Sequence, residues 1–260
     1  MNNSIEIIYE DPNILVINKP AGLVVHSDGR TDEPTVVDWI LTHRPKIKGV
    51  GEQIQDSRLP KPELGDGGQA RFKIQESPNA ERSGIVHRLD RDTSGVMVIA
   101  KNQKAFEFLK KQFQAREMEK TYRAFVYGEM KQDEGVIDRP IARSRRDFRL
   151  WSAQRGSRGG EREAVTEYKV LARRDGFSFL DVHPKTGRTH QIRVHLKAIN
   201  HPVVCDKLYA PKRDCALGFN RLALHAFSIK LKLLNGKTLE ISAPYPEDFQ
   251  KVLKGWNVEL

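Results

Sequence analysis

"HRLDRDTSG" (87–95) sets two arginines and two aspartates into positions 88–92, then runs straight into "VMVIAK" (96–101), an apolar stretch that reads as a buried strand. A row of opposite charges ordinarily belongs to a solvated loop. Charges at the mouth of a buried strand are different: the strand holds their backbone while the loop leaves their side chains open. In extended chain, Arg88, Asp90 and Asp92 share one side and His87, Leu89 and Arg91 the other. Residues 92–95 have ordinary turn chemistry, which accounts for Asp92. Asp90 has no such structural reason. Opposite charge beside a carboxylate favours its ionised form, which a nucleophile needs and a general acid does not.

Working outward, "IEIIYEDPNILVINKPAGLVVH" (5–26) reads as two strands joined at Asp11, Pro12 and Asn13 and ended by Pro20 and Gly22. "TVVDWILTH" (35–43) and "QKAFEFLKKQFQARE" (103–117) have helical periodicity, the second through Phe106, Leu109 and Phe113. "KTYRAFVYG" (120–128), "AVTEYKVLA" (164–172) and "FSFLDVHP" (177–184) read as strands. "TGRTHQIRVHLKAIN" (186–200) predicts a helix from near Thr189, because Ile192, Leu196 and Ile199 repeat at i, i+4 and i+7. "FSIKLKLLNGKTLEIS" (227–242) is a hairpin in which Asn235 and Gly236 suit a type I′ turn. "PEDFQKVLKGW" (246–256) closes the pattern as a helix. Strands in hairpin order with a few helices between them give an α+β class on a largely antiparallel sheet. Residues 49–82, poor in apolar side chains, read as an insertion.

Of the 260 residues, 38% are hydrophobic and 30% charged, as in a globular protein. No apolar run approaches a membrane span, and "MNNSIEIIYEDPN" (1–13) is not a signal peptide, so the expected compartment is the cytoplasm. Cys205 and Cys215 form no zinc framework, and two reduced thiols are expected. The formal net charge is +10, a balance that favours polyanions. The excess is concentrated in residues 139–162, where eight arginines, among them Arg143, Arg145, Arg146 and Arg149, stand against Asp147 and Glu161. Arginine forks phosphate and stacks on bases, and Phe148 and Trp151 lie among these arginines, so the segment reads as a flexible arm for RNA or DNA.

Two further stretches place polar residues at the ends of apolar elements. Tyr122 stands near the start of a strand, behind basic residues. On the helix near 189, Arg188, Thr189, His190, Arg193 and Lys197 fall on one side; the plain alternative is a solvated basic face. His190 and His195 are five apart, poorly aligned as metal ligands, and no carboxylate accompanies them. Phosphate-loop, dinucleotide and nucleophile-elbow motifs are absent, which favours a cofactor-free, metal-free reaction.

"HRLDRDTSG", "KTYRAFVYG" and "TGRTHQIRVHL" (186–196), taken in order with "EDPNILVINKPAGLVVH" (10–26), "HPVVCDKLYA" (201–210) and "LALHAF" (222–227), closely resemble the RluA-type pseudouridine synthases over about residues 5 to 250. The resemblance implies a pseudouridine synthase fold in two lobes with a central catalytic cleft. It implies a single catalytic domain over 1–260, acting as a monomer, and an enzyme that isomerises uridine to pseudouridine in RNA, ribosomal ahead of transfer RNA. Residue by residue, it makes Asp90 the nucleophile and Tyr122 the ring that packs on the flipped uracil and a candidate base. Arg193 becomes the partner of Asp90, and Arg88 the side chain that fills the gap left by the flipped base. Arg188, His190 and the arginines at 143, 145, 146 and 149 are expected to contact RNA. No metal or cofactor is implied. Relatives often carry a small RNA-binding module ahead of the catalytic domain, and this pattern starts almost at once, so that module is expected to be missing. Two rival readings remain: a catalytically dead RNA-binding protein on the same fold, and a nuclease or base-removing glycosidase using the same aspartate.

Overall fold

Two-sided burial explains why the opening strand is apolar throughout. In the computed structural model, which describes residues 5–27, 33–52, 83–145, 147, 150–154 and 158–258, β1 (Glu6–Glu10) and β2 (Ile14–Lys19) pair antiparallel, and β2 pairs antiparallel with β3 (Ser94–Ala100). Leu15, Ile17, Met97 and Ile99 pack beneath helix α1 (Val36–His43) through Val36, Val37 and Ile40. Ile14, Val16, Val96 and Val98 face the other way, onto Phe106 and Leu109 of α2 (Gln103–Ala115). A strand covered on both faces has no polar side to show. Both helices start where side chains cap them: Thr35 and Asp38 form a capping box, and Asn102 accepts the Ala105 N–H.

The chain continues through β4 (Glu119–Tyr127), β5 (Glu134–Asp138), β6 (Ile141–Arg143), β7 (Trp151–Ser152), β8 (Arg158–Arg162), β9 (Val165–Arg174), β10 (Phe177–Pro184), α3 (Gln191–Ala198), β11 (Leu224–Lys232), β12 (Thr238–Ser242) and α4 (Glu247–Trp256). Nine strands form one sheet in the order β1-β2-β3-β11-β4-β10-β9-β5, with β12 on β11. Every pairing is antiparallel except β3 with β11, which is parallel over only two register positions. The fold is α+β on a mixed, mostly antiparallel sheet, as expected. That short parallel contact is the seam between two halves. The second half centres on Phe125, which stacks on Phe179 at 4.5 Å and meets Phe249 at 5.4 Å.

The seam depends on glycine. Gly95 has φ +114°, and a Cβ there would lie 2.1 Å from the Ala226 carbonyl oxygen. The loop carrying Asp90 therefore enters β3 at this parallel seam between the halves.

Several expectations are corrected. Residues 139–162, read as an arm, contain the three strands of a second sheet, β7-β6-β8, packed over Ile141, Ala153 and Ala164. The hairpin stands, but its turn is not type I′. That turn needs positive φ at both central residues, and only Gly236 has it (80°). The Gly236 N–H returns to the Leu233 carbonyl, and Asn235 Oδ1 accepts from the Lys237 N–H. The two cysteines are not free thiols: Cys205 and Cys215 are joined as a disulfide with Cα atoms 4.4 Å apart. The Tyr127 hydroxyl draws the segment closed, donating to the Asp214 carbonyl and accepting the Cys205 N–H. Most of the 49–82 insertion (53–82) lies outside the described residues. Among the described residues, no helix is long and apolar enough to cross a membrane.

Candidate active site

Asp90 sits at the first corner of a tight turn, in which the Thr93 N–H donates to the Asp90 carbonyl. The turn thus spans 90–93, two residues earlier than the turn chemistry of 92–95 indicated, because Ser94 and Gly95 are already strand. Leu89 points into the core, leaving Arg88 exposed and Asp90 half-buried. The far side of the turn is tied down by Lys19. Its fully buried ammonium donates to the carbonyls of Pro20, Leu23 and Arg91, and the Gly22 N–H donates to the same Arg91 carbonyl. Burial pulls the Lys19 pKa down to about 7, against the pull of Asp92 and Asp90.

The opposite wall is α3. Arg193, 103 positions from Asp90, donates from Nη1 to Asp90 Oδ2 at 2.9 Å. Its other two nitrogens fork Asp206 bidentately, Nε to Oδ2 and Nη2 to Oδ1, both at 2.8 Å. Asp206 is fully buried and also accepts the N–H groups of Leu208 and Tyr209. Burial works against the Arg193 charge, but Asp206 and then Asp90 outweigh it and its pKa rises. The alternative of a solvated basic face on this helix is ruled out. Gln191 through Leu196 are all buried, and their polar groups are partnered: Gln191 reaches Thr186, Thr166 and the Val165 carbonyl, and His195 bridges Thr166 to the Arg139 carbonyl. The helix begins at Gln191, and His190 precedes it with φ 55°.

Asp90, Arg193, Tyr122, Arg88, Arg188 and His190 line one cleft of about 750 Å³. Tyr122 lies between the cores of the two halves. Burial, then the charge of Asp90, push its phenol pKa up, so the ring stays neutral. Lys120 and Arg116 add positive charge to the same walls, and His87 stacks on Phe113 at 4.8 Å while its Nε2 accepts the Val98 N–H. Arg188 is anchored through Nε to the Glu163 carbonyl.

The described arginines of residues 139–162 do not line this cleft. Arg143 lies on β6 with its guanidinium 4.2 Å from the Trp151 ring centroid, and Arg145 is exposed just beyond it. Arg146 and Arg149 lie outside the described residues. Sequence reasoning missed Asp206, Tyr209 and Lys19. Asp206 and Tyr209 are both in "HPVVCDKLYA", where a lone carboxylate within an apolar run was the available signal. Lys19 gives none beyond a lysine ending an apolar strand.

A negative carboxylate held by a buried guanidinium, beside a neutral aromatic ring and under a basic rim, can take in a flat base on an anionic backbone and attack it. The family described as RNA pseudouridylate synthase matches residues 13–198. An uncharacterized RNA pseudouridine synthase of Synechocystis sp. is 36% identical over 253 residues, covering 97% of this chain and 69% of the relative. The ribosomal large subunit pseudouridine synthase D of Xanthomonas campestris pv. campestris is 36% identical over 261 residues, covering 96% of this chain and 68% of the relative. Among solved structures, human RNA pseudouridylate synthase domain containing 4 has the same fold, with TM-score 0.70 at 24% identity, covering 98% of this chain and 94% of that one.

Proposed function

The chain belongs to the RNA pseudouridylate synthase family and is an RNA pseudouridine synthase, an isomerase acting on RNA; on that premise we propose that its substrate is large-subunit ribosomal RNA and that Asp90 is its nucleophile. The single observation that carries the nucleophile is the Asp90 carboxylate, open to the cleft on one side and held at Oδ2 by Arg193 on the other. The ribosomal substrate rests on the names of relatives such as the Xanthomonas large-subunit enzyme.

The chemistry is a rearrangement in which the N1–C1′ bond breaks, a C5–C1′ bond forms, C5 loses its proton and N1 gains one. RNA mass is unchanged. A base inside a stacked strand must leave the stack first, at a cost of a few kcal/mol. Arg88, exposed beside Asp90, is placed to fill the gap. Tyr122 supplies a flat neutral face worth roughly 1–3 kcal/mol of stacking. With its pKa raised, Tyr122 is poorly suited to give up its proton early, so stacking comes before any role as base. Arg193 stays paired with the Asp90 carboxylate when the base displaces water around it. Arg188 and the basic rim grip the backbone, and that grip weakens steeply with salt.

The test is pseudouridine mapping of total RNA from cells with and without the gene, complemented by wild type or Asp90→Asn. Sites in large-subunit ribosomal RNA are expected to disappear without the gene, return with wild type and stay absent with the variant. Conversion by Asp90→Asn removes the nucleophile assignment, and loss of sites only in transfer RNA removes the substrate assignment.

A further inference from the structure

We propose that His190 is a positioning residue for the Asp90 carboxylate, with its tautomer set from the small arginine-bearing sheet through Tyr209. The inference rests on Asp90 being the nucleophile. The Trp151 N–H, in β7, donates to the Tyr209 hydroxyl oxygen at 3.1 Å. That oxygen lies 2.9 Å from His190 Nδ1. In this proposal the hydroxyl, with one lone pair taken up by the Trp151 N–H, gives its own proton to His190 Nδ1. The ring proton of neutral His190 is then on Nε2.

Nε2 faces Asp90 Oδ1 at 3.9 Å, while Arg193 holds Oδ2 at 2.9 Å. No hydrogen bond exists at 3.9 Å. A shift of about 1 Å in ring or carboxylate makes one, and bonds of this kind tighten when substrate fills a site. With Arg193 on one oxygen and His190 on the other, the carboxylate cannot rotate away from the attacked carbon.

Three features distinguish this from a histidine that merely grips phosphate. One ring nitrogen is already committed to Tyr209. The side chain is only 20% exposed. Burial lowers its pKa, with Asp90 and Asp206 opposing and Arg193 and Arg88 assisting, so the ring is neutral at neutral pH. Among the described residues, those four groups act on its charge, and Tyr209 holds its Nδ1. The left-handed backbone at φ 55°, ψ 21° directs the ring between Tyr209 and Asp90, which it meets from one residue before α3. Asparagine and histidine tolerate that conformation better than most residues.

The test uses full-length protein and a large-subunit ribosomal RNA transcript carrying tritium at uridine C5, which each conversion releases. His190→Asn keeps the backbone and an acceptor near Tyr209 but places no donor at Asp90; His190→Gln restores a donor where Nε2 stood. The single-turnover rate of His190→Asn is expected to fall about tenfold or more, with RNA Kd shifted less than about twofold. His190→Gln should recover most of that rate, and Tyr209→Phe should lower it without weakening binding. Nitrogen-15 NMR of the free protein should show neutral His190 protonated on Nε2, and mixed tautomers in Tyr209→Phe. An unchanged rate in His190→Asn, a loss confined to RNA affinity, or a proton on Nδ1 overturns the inference. Wild type that releases no tritium overturns the substrate assignment, and the NMR measurement decides the tautomer without any turnover.

Discussion

Two three-membered charge clusters in this molecule combine carboxylates and basic side chains to opposite ends. In the cleft wall one cation, Arg193, lies between two carboxylates, Asp90 and Asp206. On the surface of the first half one carboxylate, Glu10, lies between two cations, Arg44 at 2.7 Å and Lys101 at 2.8 Å. Distances do not separate them; burial does. The Asp206 side chain is fully buried and that of Arg193 is 11% exposed, with Asp90, at 26%, facing the cleft, whereas the surface trio is 22–34% exposed. Water screens the surface cluster and a long side chain must be ordered to form it, so its net effect is small. In the cleft, removing a partner strands a charge in a poorly solvated place.

The largest expected effect follows from that stranding. Asp206→Ala leaves the Arg193 guanidinium without its bidentate partner and is expected to destabilise the protein by about 3–5 kcal/mol, read as a drop in the denaturant midpoint. A loss below about 1 kcal/mol would mean that Arg193 finds another partner and that the two clusters are energetically alike. Next come the exposed arginines of the small sheet, which act on RNA rather than on the fold. Arg143→Ala and Arg145→Ala should each lower the slope of log affinity against log salt by about one. Melting of the protein itself should shift by no more than about 0.5 kcal/mol for either. A variant that unfolds the protein instead would place its arginine with the buried cluster.

The smallest effect is Glu10→Gln, at about 1 kcal/mol or less. Hydrogen bonds from Arg44 and then Lys101 bring the Glu10 pKa from 4.5 down to about 2. A carboxylate with a depressed folded-state pKa stabilises above its unfolded pKa, and that contribution is lost as pH falls through the folded value. The difference between wild type and Glu10→Gln should therefore be full above pH 4.5 and vanish toward pH 2, in unfolding measured across that window. A difference that persists to the lowest pH would assign the effect to packing.

Much of this was legible along the chain. The strand after residue 95, the helices beginning at Val36 and Gln103, and the partnership of Asp90 with Arg193 were all readable, the last through the family resemblance. What stayed open or went wrong shares one cause. A solvated face at Arg193 remained an alternative because helical periodicity sees only its own element. Whether that face meets water or Asp206 depends on residues 201–210 folding over it. The same closure brings Cys205 to Cys215, and a separation of ten positions gives no sign of it. Residues 139–162 were read from their arginines and interleaved aromatics, and Ile141, Ala153 and Ala164 are too sparse to announce a sheet by periodicity.

By itself the sequence determined the helices and most strands of the large sheet, the excess of arginine, and the identity of Asp90 as the carboxylate without a structural excuse, because propensity, periodicity and turn chemistry act over a few residues. Only the tertiary structure decided what Asp90 faces. Electrostatics and hydrogen bonding depend on distance in space, and the seam at Gly95 and Ala226 sets Asp90 against α3, where Arg193, Asp206 and His190 meet it.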